Sequence, residues 1–349
     1  MYKSIRPGQV WLDTNGKRIQ AHGGSIITVG DTFYWYGENK EKTTSRKGIW
    51  HYGVRMYKSK DLYNWEDVGL VLPPVLDDKE SPLHPEQYMD RPHILYCKKT
   101  SKFVLWMKIM GKDDIQFQTV ATADSITGPY EIVKILKPLG MSCGDFDLVV
   151  EPTDGKAYYF FERVHSELVC ADLTEDYTDV TGYYSTHFPR TNPPFVREAP
   201  AYFRRGRMHY LFTSGTTGYF PNQSEVAISW GYHGPWKLLG DPHPGDSEHT
   251  SYRSQITSVF KHPGKKDLYI ALADRWLTDL PKVLPDIGKA FDEGFAPGAD
   301  KAAWARLKAL GKFTKQNTSR ADYVWLPVRF NGEMAYLDWH DEWRVEDYK

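Results

Sequence analysis

Five short stretches of the 349-residue chain set a carboxylate or an amide just ahead of an apolar, strand-like run. They are Gln20-Ala21-His22-Gly23-Gly24-Ser25, Gln87-Tyr88-Met89-Asp90-Arg91-Pro92-His93, Ser142-Cys143-Gly144-Asp145-Phe146-Asp147, Arg197-Glu198-Ala199-Pro200 and Ser251-Tyr252-Arg253-Ser254-Gln255-Ile256-Thr257. Glu38-Asn39 closes the run that follows the first of them. One acid at such a place is an ordinary turn or cap residue. Recurrence in stretch after stretch points to side chains that converge on one site. Converging carboxylates among aromatic rings suit cleavage of a glycosidic bond, where one carboxyl protonates the leaving oxygen and a second group activates water or attacks the sugar. The protonating carboxyl needs a raised pKa, which burial beside rings or another carboxylate supplies. Asp90 and Glu198 form the strongest pair, because an Arg-Pro or Ala-Pro step after each restricts the backbone.

The elements that position these groups repeat along the chain. A polar or glycine turn followed by an alternating aromatic run occurs at 30–36, 100–106, 154–160, 205–211, 264–270 and 331–337, each a hairpin signal. Second elements follow most of them, among them Arg55–Trp65 and Val226–Trp236. The spacing leaves room for four strands per unit, the signature of propeller blades. We therefore expect an all-β, five-bladed β-propeller spanning residues 1–349 as one catalytic domain. The sixth hairpin is expected to close the ring by pairing with the N-terminal strand. Residues 277–321 break the pattern. Pro281, Pro285 and Pro297 precede Asp300-Lys301-Ala302-Ala303-Trp304-Ala305-Arg306-Leu307-Lys308-Ala309-Leu310, which reads as a helix capped by Gly311 and inserted in the last blade.

Composition narrows the class. With 44 basic and 45 acidic residues the net charge is −1, unlike the strongly basic face of a nucleic-acid binder. No window approaches the roughly 18 apolar residues of a membrane span, and no membrane partner is expected. The first residues lack a signal-peptide apolar run, so the sequence reads as cytoplasmic, or as exported with its leader removed. Cys97, Cys143 and Cys170 form no disulfide or metal pattern and read as buried thiols. Twelve Trp, 23 Tyr and 16 Phe suit aromatic strands and sugar-stacking surfaces alike. The histidines show no HExxH-like spacing, so no catalytic metal or other cofactor is expected.

Together, Gln20-Ala21-His22-Gly23-Gly24, Phe33-Tyr34-Trp35-Tyr36-Gly37-Glu38, Asp90-Arg91-Pro92, Arg197-Glu198-Ala199-Pro200 and Thr216-Thr217-Gly218-Tyr219-Phe220-Pro221-Asn222 resemble glycoside hydrolase family 43, closest to its exo-β-1,3-galactanase-like subgroup. The resemblance runs over roughly residues 18–276 and returns in the last strands. It implies a five-bladed propeller and an enzyme that inverts the anomeric centre of an oligosaccharide or polysaccharide, releasing β-linked galactose from galactan or arabinogalactan-type chains. It makes Glu198 the general acid and Asp145 the residue that orients substrate and adjusts the acid, with Asp147 as competitor. Asp90 stands where the subgroup has Glu, and Glu38 looks like a sugar-hydroxyl ligand. The aspartate that serves as base in most of the family is missing from the first blade, where Gln20 and His22 stand. Gln255 matches a glutamine that the subgroup places over the attacking water, and a water relay to Asp90 or Glu38 is the alternative proton route. His22, Trp35, Thr217, Arg275 and Trp276 are further substrate-binding candidates. Some relatives carry a structural calcium or sodium on the axis. Family 43 also contains α-L-arabinofuranosidases, β-xylosidases and β-galactofuranosidases. The missing aspartate favours the alternative of a non-catalytic carbohydrate-binding propeller, and the retained Glu198, Asp90 and Gln255 argue against it.

Overall fold

A computed structural model describes residues 1–44, 48–111 and 115–349. Five antiparallel sheets of four main strands each form the blades. Blade one holds β1 (His22–Val29), β2 (Thr32–Glu38), β3 (Val54–Ser59) and β4 (Glu66–Leu72). Blade two holds β5 (Tyr88–Cys97), β6 (Lys102–Met110), β7 (Gln116–Ala123) and β8 (Glu131–Leu136). Blade three comprises β9 (Cys143–Val150), β10 (Ala157–Arg163), β11 (Glu167–Leu173) and β12 (Val180–His187). Blade four comprises β13 (Arg197–Arg205), β14 (Met208–Gly215), β15 (Glu225–Ser229) and β16 (Lys237–Gly240). Blade five runs β17 (Gln255–Lys261), β18 (Tyr269–Arg275), then past the short β19 (Asp322–Tyr323) to β20 (Leu326–Asn331) and β21 (Met334–Leu337). The inner strands β1, β5, β9, β13 and β17 each pack on the next around the axis.

The hairpin turns fall where the sequence places them. Gly30, Gly155, Gly206 and Gly332 turn with φ between +60° and +75°, a region glycine enters without a Cβ penalty. Ring closure differs from expectation. The sixth hairpin joins β20 to β21, the two outer strands of blade five, and shares no ladder with β1. Blades five and one meet instead through side chains, with Thr257 Oγ1 donating to the Gly24 carbonyl (3.0 Å) and Ser258 Oγ to Ser25 Oγ (2.8 Å). The N-terminus adds one antiparallel bridge, Ile5 to Trp343. Bulky aromatic seams make this enough. Trp35, Tyr57, Trp65, Trp325 and Trp343 are all buried in one cluster between the two blades, and burial of such rings removes 150–250 Å² each from water.

The core is thus a set of inter-blade seams, and the axis is left to polar groups. All three cysteines are buried and free. Residues between β18 and β19 form α1 (Ile287–Phe295) and α2 (Lys301–Ala309), capped by Asp286 and Asp300 side chains that accept from the amides of Lys289 and Ala303. Only the second helix was legible in the sequence. Gly311 is not its cap, since the last turn tightens into a 3₁₀ segment, Leu310–Phe313. Among the described residues no helix is long and apolar enough to cross a membrane.

Candidate active site

Each inner strand carries a register irregularity near the end where the acids lie. These shifts fall between His22 and Ser25, Asp90 and His93, Glu198 and Ala201, Ile256 and Ser258, and opposite Phe161–Arg163 in blade three. A bulge adds a residue to one strand and re-aims its side chain, a device common beside active sites. In three blades the extra residue has positive φ: Gly23 (+61°), Arg91 (+54°) and Ala199 (+48°). For Arg91 and Ala199 this conformation costs on the order of 1–3 kcal/mol. At Gly23 a Cβ would also run into the Glu38 carboxylate, so both the φ and the close approach require glycine.

The strands bring Glu38, Asp90, Asp145, Glu198, Gln255 and Trp276 together. Arg91 is their hub. Its backbone N–H donates to Glu38 Oε1 (3.0 Å), and its Nη2 bonds Gln255 Oε1 and lies 2.9 Å from Asp145 Oδ2. Gln255 Nε2 donates to Glu198 Oε1 (3.0 Å) and to Ser214 Oγ (2.9 Å), while Trp276 Nε1 donates to Gln255 Oε1 (3.2 Å). Lys108 Nζ bridges Asp145 Oδ1 (2.9 Å) and Asp90 Oδ2 (3.0 Å). Asp90 Oδ1 accepts from Trp50 Nε1 (2.6 Å). Lys40, fully buried, lies 2.9 Å from Glu38 Oε2 and 3.9 Å from Asp90 Oδ1, beside the stacked rings of Trp50 and Tyr219 (4.6 and 5.9 Å to their centroids). The result is an alternating chain of charge, Glu38–Lys40–Asp90–Lys108–Asp145–Arg91, that ends at the Gln255–Glu198 pair.

This alternation splits the carboxyls into two kinds. Loss of solvent in the packed pocket, reinforced by the negative charges of Asp145 and Glu162, holds Glu198 well above the ordinary carboxylate range. Burial likewise raises Glu38, only partly offset by Lys40. Asp145 is buried too, but Arg91 and Lys108 outweigh desolvation and hold it below the usual value. The two environments thus push Glu198 toward its neutral form and Asp145 toward its charged one, the separation general acid catalysis needs.

Other sequence candidates lie elsewhere. Trp35 packs 4.6 Å, centroid to centroid, from both Tyr323 and Trp325 in the seam between blades five and one and presents no face to the pocket. Its strand alternation points it away from the axis. Arg275 also faces outward, donating to the Tyr252 carbonyl (2.9 Å) beside Trp339. Thr217 is buried in its own loop, donating to the Phe220 carbonyl (2.6 Å) and accepting from Asn222 Nδ2 (2.7 Å). His22 sits behind the pocket, hydrogen-bonded to Asp274 (2.9 Å) and Gln20 (3.2 Å) and stacked on Tyr323. Asp147 does not compete with Asp145. It points toward the opposite end of the axis, accepting from the amides of Leu148 (2.8 Å) and Tyr202 (2.7 Å).

Arg91, Lys40, Lys108, Trp50 and Tyr219 were not singled out from the sequence. Arg91 sat in view within Asp90-Arg91-Pro92. A lysine on a strand or just past one, as Lys108 and Lys40 are, carries no local mark of burial. Among the described residues no acceptor faces the buried Arg91 Nη1, and no group of three or more His, Cys, Asp or Glu is arranged to hold a metal ion.

A five-bladed propeller with two carboxyls pushed in opposite directions at one axial mouth is an arrangement suited to glycoside hydrolysis. The match to known proteins is consistent with that class: residues 18–279 fit the model for glycosyl hydrolases family 43, and the chain belongs to that family. A family 43 β-1,3-galactosidase structure is 29% identical, with a TM-score of 0.79, over 100% of this chain and 65% of its own. A second β-1,3-galactosidase of the family, solved with galactodeoxynojirimycin, is 26% identical at TM-score 0.79, covering 98% of this chain and 100% of its own. An exo-β-1,3-galactanase from Clostridium thermocellum is 27% identical at TM-score 0.73, covering 97% of this chain and 66% of its own. The chain thus spans about two thirds of the first and third of these. No curated protein sequence gives a match.

Proposed function

We propose that the protein is an inverting exo-glycosidase that releases β-linked galactose from galactan or arabinogalactan-type oligosaccharides, with Glu198 as general acid. The observation that carries this reading is the Glu198–Gln255–Arg91–Asp145 chain of contacts, which sets a carboxyl whose pKa burial and the Asp145 charge raise beside one whose pKa Arg91 and Lys108 lower. In this reading Glu198 gives its proton to the leaving oxygen as the bond from the anomeric carbon breaks. A neutral amide is no base, and the four hydrogen-bonding positions of Gln255 are taken by Glu198, Ser214, Arg91 and Trp276, so it orients the acid rather than taking the proton. Water oxygen bonds the anomeric carbon from the opposite face, and its proton passes by a water relay to Glu38, whose raised pKa suits it to accept. Glu38, Asp90 and the unpaired Nη1 of Arg91 serve the sugar hydroxyls. The galactose assignment draws on the galactose-type relatives named above.

Asp90 favours a second reading. Both of its oxygens are held by Trp50 and Lys108, which reshapes the pocket wall and keeps an α-L-arabinofuranosidase, β-xylosidase or β-galactofuranosidase in view. A non-catalytic sugar-binding propeller is the remaining one, since Gln20 at the first blade is tied to Ser319 and His22 (3.0 and 3.2 Å) and leaves no base there. Nitrophenyl β-galactopyranoside, α-arabinofuranoside, β-xyloside and β-galactofuranoside, with β-1,3-galactobiose, separate these. Turnover of the β-galactopyranosides with α-galactose as the first product by NMR supports the proposal. Turnover of another sugar selects its alternative, and sugar binding without any turnover selects the binding module.

A further inference from the structure

Away from the axis, a serine, two histidines and an aspartate meet where the outer strands of blade three face blade four. Alternation along β12 puts Tyr183, Ser185 and His187 on one face. That face meets the turn between β15 and β16. Ser185 Oγ lies 2.9 Å from His187 Nε2 and 2.7 Å from His233 Nδ1. The far nitrogen of His233, Nε2, lies 2.7 Å from Asp172 Oδ1 on β11. Gly234 shapes the turn for this contact. Its φ is +78°, and a Cβ there would stand 3.1 Å from His187 Cε1, so glycine lets the turn close over the histidine. The side chains of His233 and Asp172 are 22% and 30% exposed, which leaves the group reachable from solvent.

The proton positions follow from the acceptors. A carboxylate only accepts, so the neutral His233 ring carries its hydrogen on Nε2 and turns a bare lone pair at Nδ1 toward Ser185. Ser185 Oγ therefore donates to His233. With its one proton committed, it accepts from His187 Nε2. Burial, with the nearby His233, lowers the pKa of His187 to about 4, so at neutral pH this ring is an uncharged N–H donor. These are the parts of nucleophilic acyl transfer: a hydroxyl aimed at a base, a base oriented by a carboxylate, and a donor beside the hydroxyl, where a carbonyl oxygen would gain charge. Tyr183, 63% exposed, stands edge-on to His233 with centroids 4.8 Å apart and offers an apolar wall to the bound molecule.

We infer that Ser185, His233 and His187, positioned by Asp172, form a second catalytic centre that cleaves carboxylic esters of small acids. Ser185 Oγ adds to the ester carbonyl carbon while its proton passes to His233 Nδ1, and the carbonyl oxygen takes the electron pair facing His187. Re-forming the carbonyl breaks the bond to the alcohol oxygen, which leaves with the proton from His233. Water then attacks the acyl-serine by the same route, releasing the acid and restoring Ser185. The test treats the wild-type protein with a fluorophosphonate, which phosphonylates activated serines with loss of fluoride, and maps the adduct by peptide mass. Hydrolysis of p-nitrophenyl acetate is followed alongside. An adduct on Ser185 is expected. Ser185→Ala and His233→Gln should each lower kcat/KM for the ester about a hundredfold or more, with a cooperative thermal transition showing that each variant is folded. Both should keep wild-type glycoside turnover, which separates this centre from the axial mouth. An unlabelled Ser185, ester turnover undiminished in either variant, or ester and glycoside turnover lost in step overturns the inference.

Discussion

Gln255 Nε2 donates to Glu198 Oε1 at 3.0 Å, joining the innermost strands of blades four and five at the axial mouth. Four groups share this one amide: Glu198, Ser214, Arg91 and Trp276. It therefore fixes the acid, the cation that serves Asp145, and an aromatic wall in a single geometry.

Gln255→Ala removes that junction. Turnover should fall about a hundredfold or more, and the orphaned buried partners should cost about 1–3 kcal/mol of stability. Steady-state kinetics beside chemical denaturation checks both. Unchanged kcat would remove Gln255 from the reaction.

Asp145→Asn tests how the proton is kept on Glu198. Asp145 raises the pKa of Glu198, so neutralising it must lower that pKa. Arg91 and Lys108, no longer matched by Asp145, push the same way. The alkaline limb of kcat/KM should move to lower pH by about one unit or more, whereas a limb that stays in place would contradict the coupling.

The two tryptophans nominated by the sequence should separate cleanly. Trp35→Ala opens a cavity in the seam between blades five and one and should cost about 3–5 kcal/mol, with KM and kcat of the folded fraction preserved. Trp276→Phe keeps the ring but deletes its N–H to Gln255. It should lower kcat about three- to tenfold with little change in melting temperature.

That contrast shows what sequence could and could not tell. Turns such as Gly30-Asp31 and Asn331-Gly332 and period-two aromatic runs are local signals, so blade strands were legible. Ring closure was not, because it depends on Thr257 and Ser258 meeting Gly24 and Ser25 across more than 230 positions. Glu198 and Asp145 stood out by their place before apolar runs. Lys40 and Lys108 did not, since only the assembled blades show that each sits between two carboxylates. Trp35 and Arg275 lie beside motif residues in the chain, yet strand alternation turns them away from the axis.

Away from the catalytic mouth, Asp147 gives a stability prediction. Burial raises its pKa from the ordinary 3.8 to about 7, against the two amides that favour its charged form. A carboxyl raised on folding favours the folded state below its unfolded pKa, and that contribution is lost as pH rises through the folded value. Unfolding free energy should therefore decline between about pH 4 and pH 7, and Asp147→Asn should flatten that part of the profile. An identical slope in the variant would refute the assignment.

The most direct test of the whole account is the dependence of Glu198→Gln on its leaving group. Without a proton donor, β-1,3-galactobiose, whose leaving group is a poorly acidic sugar alcohol, should lose about 10²–10⁴-fold in kcat/KM. A dinitrophenyl β-galactoside, which needs no protonation to depart, should be cleaved nearly as fast as by wild type. Equal losses on the two substrates, or full activity on both, would mean that Glu198 is not the general acid.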